Sequence, residues 1–334
     1  MGPPTIWINK YLSNTWEVMA RLLHDREPAE FRLVATHPWA RYPGRRYADH
    51  FVPEPRGLTD DGYVNWCLQF AADHRVTLFI PGRKLLPVVA AADRFAQIGT
   101  NILAAAALAD LLVVGDKIAT YSRLDPSDPA IPDYAVARTL GEFVDAVERL
   151  IARHPRICFK PARSVYGIGF FILDESSSDS RPYHLSLEEA IRRLQAHRDF
   201  PPHLVMEYLP GPERSVDCLA QAGELIRCVI RRKAASVQWI ERHPIIEEMA
   251  RGLTRKFRLN GVFNIQFRDS QGMPRLLEIN PRMSGGLPIA CVAGVNFLLW
   301  AIRLALGSAV SDDVPRPRSG ICVPQPKPHR SISR

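Results

Sequence analysis

The first hundred or so residues alternate short apolar runs with helical stretches, and that alternation constrains the fold more than any other feature. Ile6-Trp7-Ile8 is a continuous apolar run of strand length. Ser13 or Asn14 can cap a helix after it, because Val18, Met19, Leu22 and Leu23 recur at helical spacing. Phe31 to Ala35 reads as a second strand, and a helical stretch around Tyr63 to Asp73 leads into the strand Val76 to Ile80, ended by Pro81-Gly82. A further apolar helix is expected from about Leu86 to Phe95. Strands and helices in that order imply a parallel sheet with helices on its faces. Asn9-Lys10-Tyr11 follows the first strand, so no G-x-G-x-x-G turn marks a dinucleotide site, and the domain is Rossmann-like in outline only.

Near Gly115 the pattern changes. A polar, Pro-rich stretch from Arg123 to Pro132 and a helix near Leu140 to Arg153 lead to Ile157-Cys158-Phe159-Lys160-Pro161, where a second strand-rich unit begins. Its expected members are a Ser/Gly turn from Ser164 to Gly169, a strand from Phe170 to Leu173, a polar segment from Ser176 to Ser180 and a helix near Leu187 to His197. Strands are then expected at Leu204 to Leu209, Arg214 to Ala220 and Leu225 to Ile230, with a helix at Ile245 to Phe257 and a last strand pair, Gly261 to Arg268 and Arg275 to Asn280. The Pro-rich segment from Val314 holds one short strand, Ile321 to Val323.

A chain of 334 residues with 46% hydrophobic and 23% charged residues can build two or three cores, which excludes disordered, collagenous and repeat-built chains. The six cysteines stand far apart without a C-x-x-C pair, as buried thiols of a reducing compartment do. Neither a basic segment followed by an apolar one at the N-terminus nor a long uncharged apolar run is present, so a cytoplasmic chain without a membrane partner is expected. The net charge of +8 admits anionic ligands, but the basic residues are scattered rather than striped with aromatics, and nucleic acid is not expected as a partner. His203, His243, Glu247-Glu248 and Arg192-Arg193 read as packing or solvated residues, since none has a partner at metal-ligand spacing.

The densest chemical signal is Asn264-Ile-Gln266-Phe-Arg268 followed by Leu277-Glu278-Ile-Asn280-Pro281-Arg282. Residues two apart on a strand share a face, so Glu278 and Asn280 point the same way, and a hairpin could bring Gln266 alongside. One carboxylate with amide oxygens suits magnesium and a nucleotide's phosphates, whereas zinc would want His or Cys. Taken alone, Glu278-Ile-Asn280-Pro reads more simply as a strand end that caps a turn, and only its context overturns that. Lys117 and Lys160 each end an apolar run, where an ammonium stays solvated yet can meet a phosphate; a plain solvent-facing lysine is the other reading of each. The turn carrying Ser164, Gly167 and Gly169 offers backbone N–H groups to phosphates but is not a Walker A loop. Glu207-Tyr208-Leu209-Pro210-Gly211 ends an apolar strand in a turn, where backbone groups can face an adenine edge, and Glu213 just beyond can accept ribose hydroxyls.

In order along the chain, these segments resemble the ATP-grasp superfamily over essentially residues 5 to 310. The nearest likenesses are the carboxylate-amine ligases and the carbamoyl phosphate synthetase large subunit, with an N-terminal half similar to ATP-grasp proteins of tellurium-resistance-type biosynthetic operons. The resemblance implies an α/β chain, a Rossmann-like pre-ATP-grasp domain (1–112) followed by a two-lobed α+β grasp. The grasp comprises a linker and small lid subdomain (113–207) and a large catalytic subdomain (208–312), with a basic tail over 313–334. It further implies that Lys117 and Lys160 bind the phosphates, that the loop of Ser164, Gly167 and Gly169 covers them, that Glu207 and Leu209 hold adenine, and that Glu213 holds ribose. Gln266, Glu278 and Asn280 are the implied ligands of one or two Mg2+ ions, for which Mn2+ can substitute. Arg282 is implied to meet the transferred phosphate or the substrate carboxylate, with Arg231 as a second catalytic basic residue.

The implied activity joins a small carboxylic acid to an amine through an acyl phosphate at the expense of ATP, with a homodimer as the expected assembly. A regulatory nucleotide-binding protein with little ligase activity is the alternative, and the intact metal set speaks against it. Two departures stand out: many relatives place Glu where this chain has Gln266, which lowers the negative charge at the metal site, and the tail past about residue 310 is short.

Overall fold

A computed structural model of the protein describes residues 2–11, 15–125, 128, 130–163, 168–174, 183–196 and 200–324. The expected cap at Ser13 or Asn14, the turn residues Ser164 and Gly167, and the polar segment Ser176 to Ser180 lie outside them. The chain begins β1 (Thr5–Ile8), α1 (Thr15–Asp25), β2 (Arg32–His37), β3 (His50–Pro53), α2 (Asp60–Asp73), β4 (Val76–Ile80), α3 (Leu85–Ala90), α4 (Ala92–Gln97), β5 (Asn101–Ile102) and α5 (Leu108–Val114). It continues α6 (Lys117–Ser122), β6 (Tyr134–Ala137), α7 (Leu140–Ile151), β7 (Ile157–Pro161), β8 (Phe171–Leu173), β9 (His184–Leu185), α8 (Leu187–Gln195) and β10 (His203–Glu207). It ends β11 (Glu213–Gln221), β12 (Glu224–Ala234), β13 (Val237–Glu241), α9 (Pro244–Lys256), β14 (Gly261–Ser270), β15 (Met273–Asn280), α10 (Leu287–Ala290), α11 (Phe297–Ala305) and β16 (Ile321–Pro324). These form two compact units: 1–112 with 214–265 and 280–334, and 113–213 with 266–279.

In the first unit, β3-β2-β1-β4-β5 is a sheet whose strands all pair in parallel. Its side chains divide by the two-residue period of a strand. Ile6, Ile8, Leu33, Leu78 and Ile80 enter one core with α1, α10 and α11, while Trp7, Val34 and Phe79 enter a second with Tyr63, Cys67 and Phe70 of α2. Both faces are therefore covered, as a parallel sheet requires. The rings of Trp7 and Phe79 stack at 3.8 Å, and the indole N–H of Trp7 donates to Thr36 Oγ1 at 3.0 Å. The expected helix from Leu86 to Phe95 is instead two six-residue helices, α3 and α4, broken where Ala91 leaves helical geometry (φ −98°, ψ 15°).

The second unit holds the mixed sheet β6-β10-β7-β8-β9. α7 carries an apolar stripe of Phe143, Ala146, Val147 and Leu150, packed against Ile157 and Phe159 of β7. Cys158 points to the other face, into a cluster with Ile172, Met206 and Leu209. The third sheet runs β15-β14-β11-β12-β13-β16, and β11 with β12 brings Cys218 directly opposite Cys228, although the two lie ten positions apart in the sequence. Both are free thiols.

Candidate active site

In the second unit the positively charged side chains are placed by a helix start and a strand pleat. Asp116 caps α6, its carboxylate accepting from the N–H groups of Ile118 (3.0 Å) and Ala119 (3.1 Å), and this puts Lys117 at the first helical position. The Lys117 backbone N–H donates to the Ala162 carbonyl at 3.2 Å, and its ammonium lies 3.1 Å from Glu278 Oε2 on β15. The pleat of β7 turns Lys160 to the face that Cys158 occupies, where its ammonium donates to the Leu277 carbonyl at 3.3 Å. The Tyr121 hydroxyl, fully buried, holds the same stretch of β15 through the carbonyls of Leu276 (2.7 Å) and Leu277 (3.1 Å).

The expectation that both lysines stay solvated is corrected here. Lys117 is 9% and Lys160 8% exposed. The apolar run before Lys117 is helix α5, and Lys117 opens the next helix, its backbone N–H against the Ala162 carbonyl. Lys160 sits on a strand flanked by β10 and β8. Burial pushes its ammonium down to about 8, with Lys117 adding to the push and Cys158 and Glu278 opposing it.

The segment expected to face adenine is buried too. Glu207 directs its carboxylate to the Asp133 N–H (3.1 Å) and the Ser270 hydroxyl (3.1 Å), so that group is committed to holding the strand end. Leu209 is buried in an apolar cluster with Cys158, Ile172 and Met206, beside Tyr208 and Leu277. Gly211 then closes on β14: its N–H donates to Asp269 O at 2.9 Å, and an added Cβ would lie 2.6 Å from Asp269 Cβ, so no larger residue fits. Glu213 opens β11, half-buried. Gly169 has φ +79° and faces the Pro161 ring at a distance no Cβ tolerates, a turn that requires glycine.

Gln266 stands half-buried on β14 and Glu278 on β15, neighbours in the third sheet. Asn280 follows Glu278 by two residues with buried Ile279 between, so the two share a face of their strand. In the first unit the Asn280 side-chain oxygen accepts from the Arg282 guanidinium at 3.1 Å, which also donates to the Met283 carbonyl at 3.3 Å. Arg231 is 2% exposed. Its guanidinium is shared among Asp217 (2.7 Å), Ser215 (3.0 Å), Ser284 (3.1 Å) and Gln238.

Asp116, Tyr121 and Ser270 are working members of this region that sequence reasoning missed. An acidic residue directly before the first residue of a helix is a capping signal, and Gly115-Asp116-Lys117 carries it. Tyr121 and Ser270 have no local signal, because their partners stand 155 and 63 positions away. The oxygen donors available from Gln266, Glu278 and Asn280 are one carboxylate and two amides, a hard, singly charged set that fits Mg2+ shared with phosphate oxygens. Among the described residues no three His, Cys, Asp or Glu side chains cluster at metal-binding distance.

This architecture is that of the ATP-grasp fold. The structure of an L-amino acid ligase from Bacillus licheniformis superposes with a TM-score of 0.66 at 14% identity, over 95% of this chain and 78% of the other. Residues 199–327 match the family model described as ATP-grasp in the biosynthetic pathway with Ter operon. Carnosine synthase 1 of Gallus gallus is 34% identical over 122 residues, 31% of this chain and 13% of that one. The arginine-specific carbamoyl phosphate synthase large chain of Bacillus subtilis is 24% identical over 246 residues, 64% of this chain and 22% of that one. The chain thus spans a small part of the curated relatives it matches.

Proposed function

We propose that the protein is an ATP- and Mg2+-dependent ligase that activates a carboxylic acid as its acyl phosphate for attack by an amine. The observation that carries this reading is the pairing of Lys117 with Glu278 at 3.1 Å beside the buried ammonium of Lys160. Two ammonium groups and a carboxylate gathered around the carbonyls of β15 suit a polyphosphate with its cation, and the reaction needs no nucleophilic side chain. The likeness to an amino acid ligase and a carbamoyl phosphate synthase supports the same chemistry.

In this reading Lys117 and Lys160 neutralise the phosphates as compact point charges. Glu207 and Leu209 hold the adenine ring, Glu207 fixing the strand end, and Glu213 accepts from ribose. The segment that carries Ser164, Gly167 and Gly169 covers the phosphates in this reading. Glu278, Gln266 and Asn280 would hold Mg2+, which when bound neutralises the charge that builds on the transferred phosphoryl group. Arg282, steadied by Asn280, meets the acid's carboxylate, and Arg231 anchors the segment that carries Arg282 through Ser284. A carboxylate oxygen takes the γ-phosphoryl group from ATP, leaving ADP; the amine then attacks the acyl carbon, phosphate departs, and the amine loses a proton. Catalysis is positioning and charge neutralisation.

The test is incubation with ATP, Mg2+ and pooled carboxylic acids in the presence of hydroxylamine, which traps an acyl phosphate as its hydroxamate. Hydroxamate formation with matching release of ADP is expected. Nucleotide binding with no hydroxamate from any acid would overturn the ligase reading.

A further inference from the structure

Over the whole chain the basic residues are scattered, but in the first unit the segment that follows β2 sets them among aromatics: Trp39, Arg41, Tyr42, Arg45, Arg46 and Tyr47. The expectation that no basic stretch is interleaved with aromatics does not hold there. The turn after β2 meets the segment after β3, where Arg56 donates through Nε and Nη2 to the Pro38 carbonyl at 3.2 and 2.9 Å. The turn itself is built on a rigid base. The Trp39 N–H donates to His37 Nδ1 at 3.0 Å, and the His37 ring stacks on Tyr42 with centroids 4.2 Å apart. Burial pushes the imidazole down to about 4, so it stays neutral and Nδ1 stays an acceptor. The Trp39 carbonyl accepts from the Tyr42 N–H at 3.0 Å, and a Cβ at Gly44 would lie 2.2 Å from the Tyr42 ring, so the turn closes only with glycine there.

What stands on this base is one indole among uncommitted cations. Trp39 is 47% exposed, whereas Tyr42 is buried and Tyr47 and Phe51 are half-buried. Arg45 donates to the Ala40 carbonyl at 3.4 Å, so that guanidinium and the one of Arg56 are tied to the residues on either side of Trp39. Arg46 lies over the Tyr47 ring at 4.8 Å. The two carboxylates of the segment are committed elsewhere, Asp49 to Arg26 and Glu54 to Arg83, each at 2.7 Å. All four arginines are exposed, and among the described residues none of them forms an ion pair.

The composition of this surface selects among anionic partners. A protein partner needs an apolar patch at the interface centre, and a lipid surface needs several apolar side chains that insert, but one indole is all that this segment exposes. A nucleic acid strand needs cations for its phosphates and a π face for its bases, and only unpaired bases are free to stack on one. We infer that this surface binds single-stranded nucleic acid, an unpaired base stacking on Trp39 while Arg41, Arg45 and Arg56 receive the neighbouring phosphates. The planar fork of a guanidinium matches phosphate oxygens, and its attachment to a main-chain carbonyl presets its direction. None of these residues belongs to the nucleotide or metal sets of the ligase reading, so the two stand or fall separately.

The experiment follows the fluorescence anisotropy of fluorescein-labelled oligothymidylate and oligouridylate, each about 16 nucleotides long, with the full-length chain over a series of salt concentrations. Both strands should bind, with log K falling against log salt at a slope of about −2, because each neutralised phosphate contributes about −0.7 and three arginines are engaged. Trp39→Ala should weaken both about five- to a hundredfold with the slope unchanged, and Trp39→Phe, which keeps a π face, should recover most of the loss. Arg41→Ala, Arg45→Ala and Arg56→Ala should each make the slope shallower by about 0.7. Melting curves check that the variants are folded. The oligothymidylate paired with its complement, and poly-L-glutamate, are the competitors and should displace the labelled strand poorly. Absence of binding at low salt overturns the inference, as does a folded Trp39→Ala variant that binds as tightly as the parent. Displacement by poly-L-glutamate as effective as that by unlabelled oligothymidylate overturns it too, and assigns the surface to an acidic protein. Hydroxamate formation enters none of these outcomes.

Discussion

Lys160 in one unit and Arg231 in the other are both buried cations, and they are accommodated by opposite means. Arg231 sits in a closed network: Asp217 supplies the counter-charge at 2.7 Å, Ser215, Ser284 and Gln238 take further N–H groups, and a Cβ at Gly286 would lie 2.2 Å from the guanidinium. Among the described residues Lys160 donates to a single carbonyl, at 3.3 Å, and burial lowers its ammonium to about 8. A closed network holds a fold together, whereas a buried ammonium held by one neutral acceptor gains most from an incoming anion. Similar burial therefore accompanies different functions, and what separates them is the set of partners.

The sharpest way to break that comparison is to delete each charge. Arg231→Met should destabilise the protein by about 3–5 kcal/mol, because Asp217 is left buried without its counter-charge. Lys160→Met should leave denaturant unfolding unchanged or slightly improved while nucleotide binding is lost. If the Arg231 variant unfolds at the same denaturant concentration as the parent, the network is not what holds this region. Next in size is Glu278→Gln. It removes the carboxylate that pairs with Lys117 and keeps the shape, so hydroxamate formation should fall about a hundred- to a thousandfold at constant melting temperature. Undiminished turnover would remove Glu278 from the mechanism.

A smaller effect follows from the lowered ammonium of Lys160. The folded value of about 8 stands below the ordinary 10.5, so between these the unfolded chain binds a proton that the folded chain does not. Stability gained from this group thus rises with pH across that window and is lost as pH falls through about 8. Nucleotide binding has the reverse dependence, because phosphates favour the ammonium. ADP affinity should weaken by up to about tenfold per pH unit above 8, with proton uptake on binding near pH 8. Lys160→Arg should flatten that dependence, since a guanidinium stays charged throughout. A parent profile as flat as that of the variant would place Lys160 away from the phosphates.

How far the sequence foretold these features depended on the range of the interactions involved. Ile157 to Pro161 and Val76 to Ile80 are strands with the expected bounds, since each is an apolar run with a proline at or directly after its end. β13 and β6 were not expected: Val237-Gln238-Trp239-Ile240-Glu241 has its polar residues three apart, out of step with the two-residue period of a strand, and its place in the sheet comes from β12 and β16 on either side. In the site, residue types were legible and environments were not. The chemistry of Glu278 and the lysines could be read from their neighbours in sequence, but burial of Lys160 depends on the cluster that Cys158, Met206 and Leu277 build from distant segments. The same holds for Cys218 and Cys228, separate in sequence and opposed across a ladder. Local periodicity carries no information about which strands become neighbours.

The smallest of the expected effects tests whether Lys117 is placed locally. α6 has only six residues, too few to be stable on propensity, so its start relies on the Asp116 cap. The same carboxylate receives Arg163 at 2.9 Å. Asp116→Ala should cost about 1 kcal/mol of stability, the usual loss for a cap, and weaken nucleotide binding a few-fold because the first helical turn that carries Lys117 loses its two side-chain hydrogen bonds. Asp116→Ser restores a capping oxygen but not the ion pair to Arg163, so it separates the two contributions. Recovery of nucleotide affinity in Asp116→Ser would assign the positioning of Lys117 to the cap. Failure to recover, with stability restored, would assign it to Arg163 and leave the helix start without influence on the phosphates.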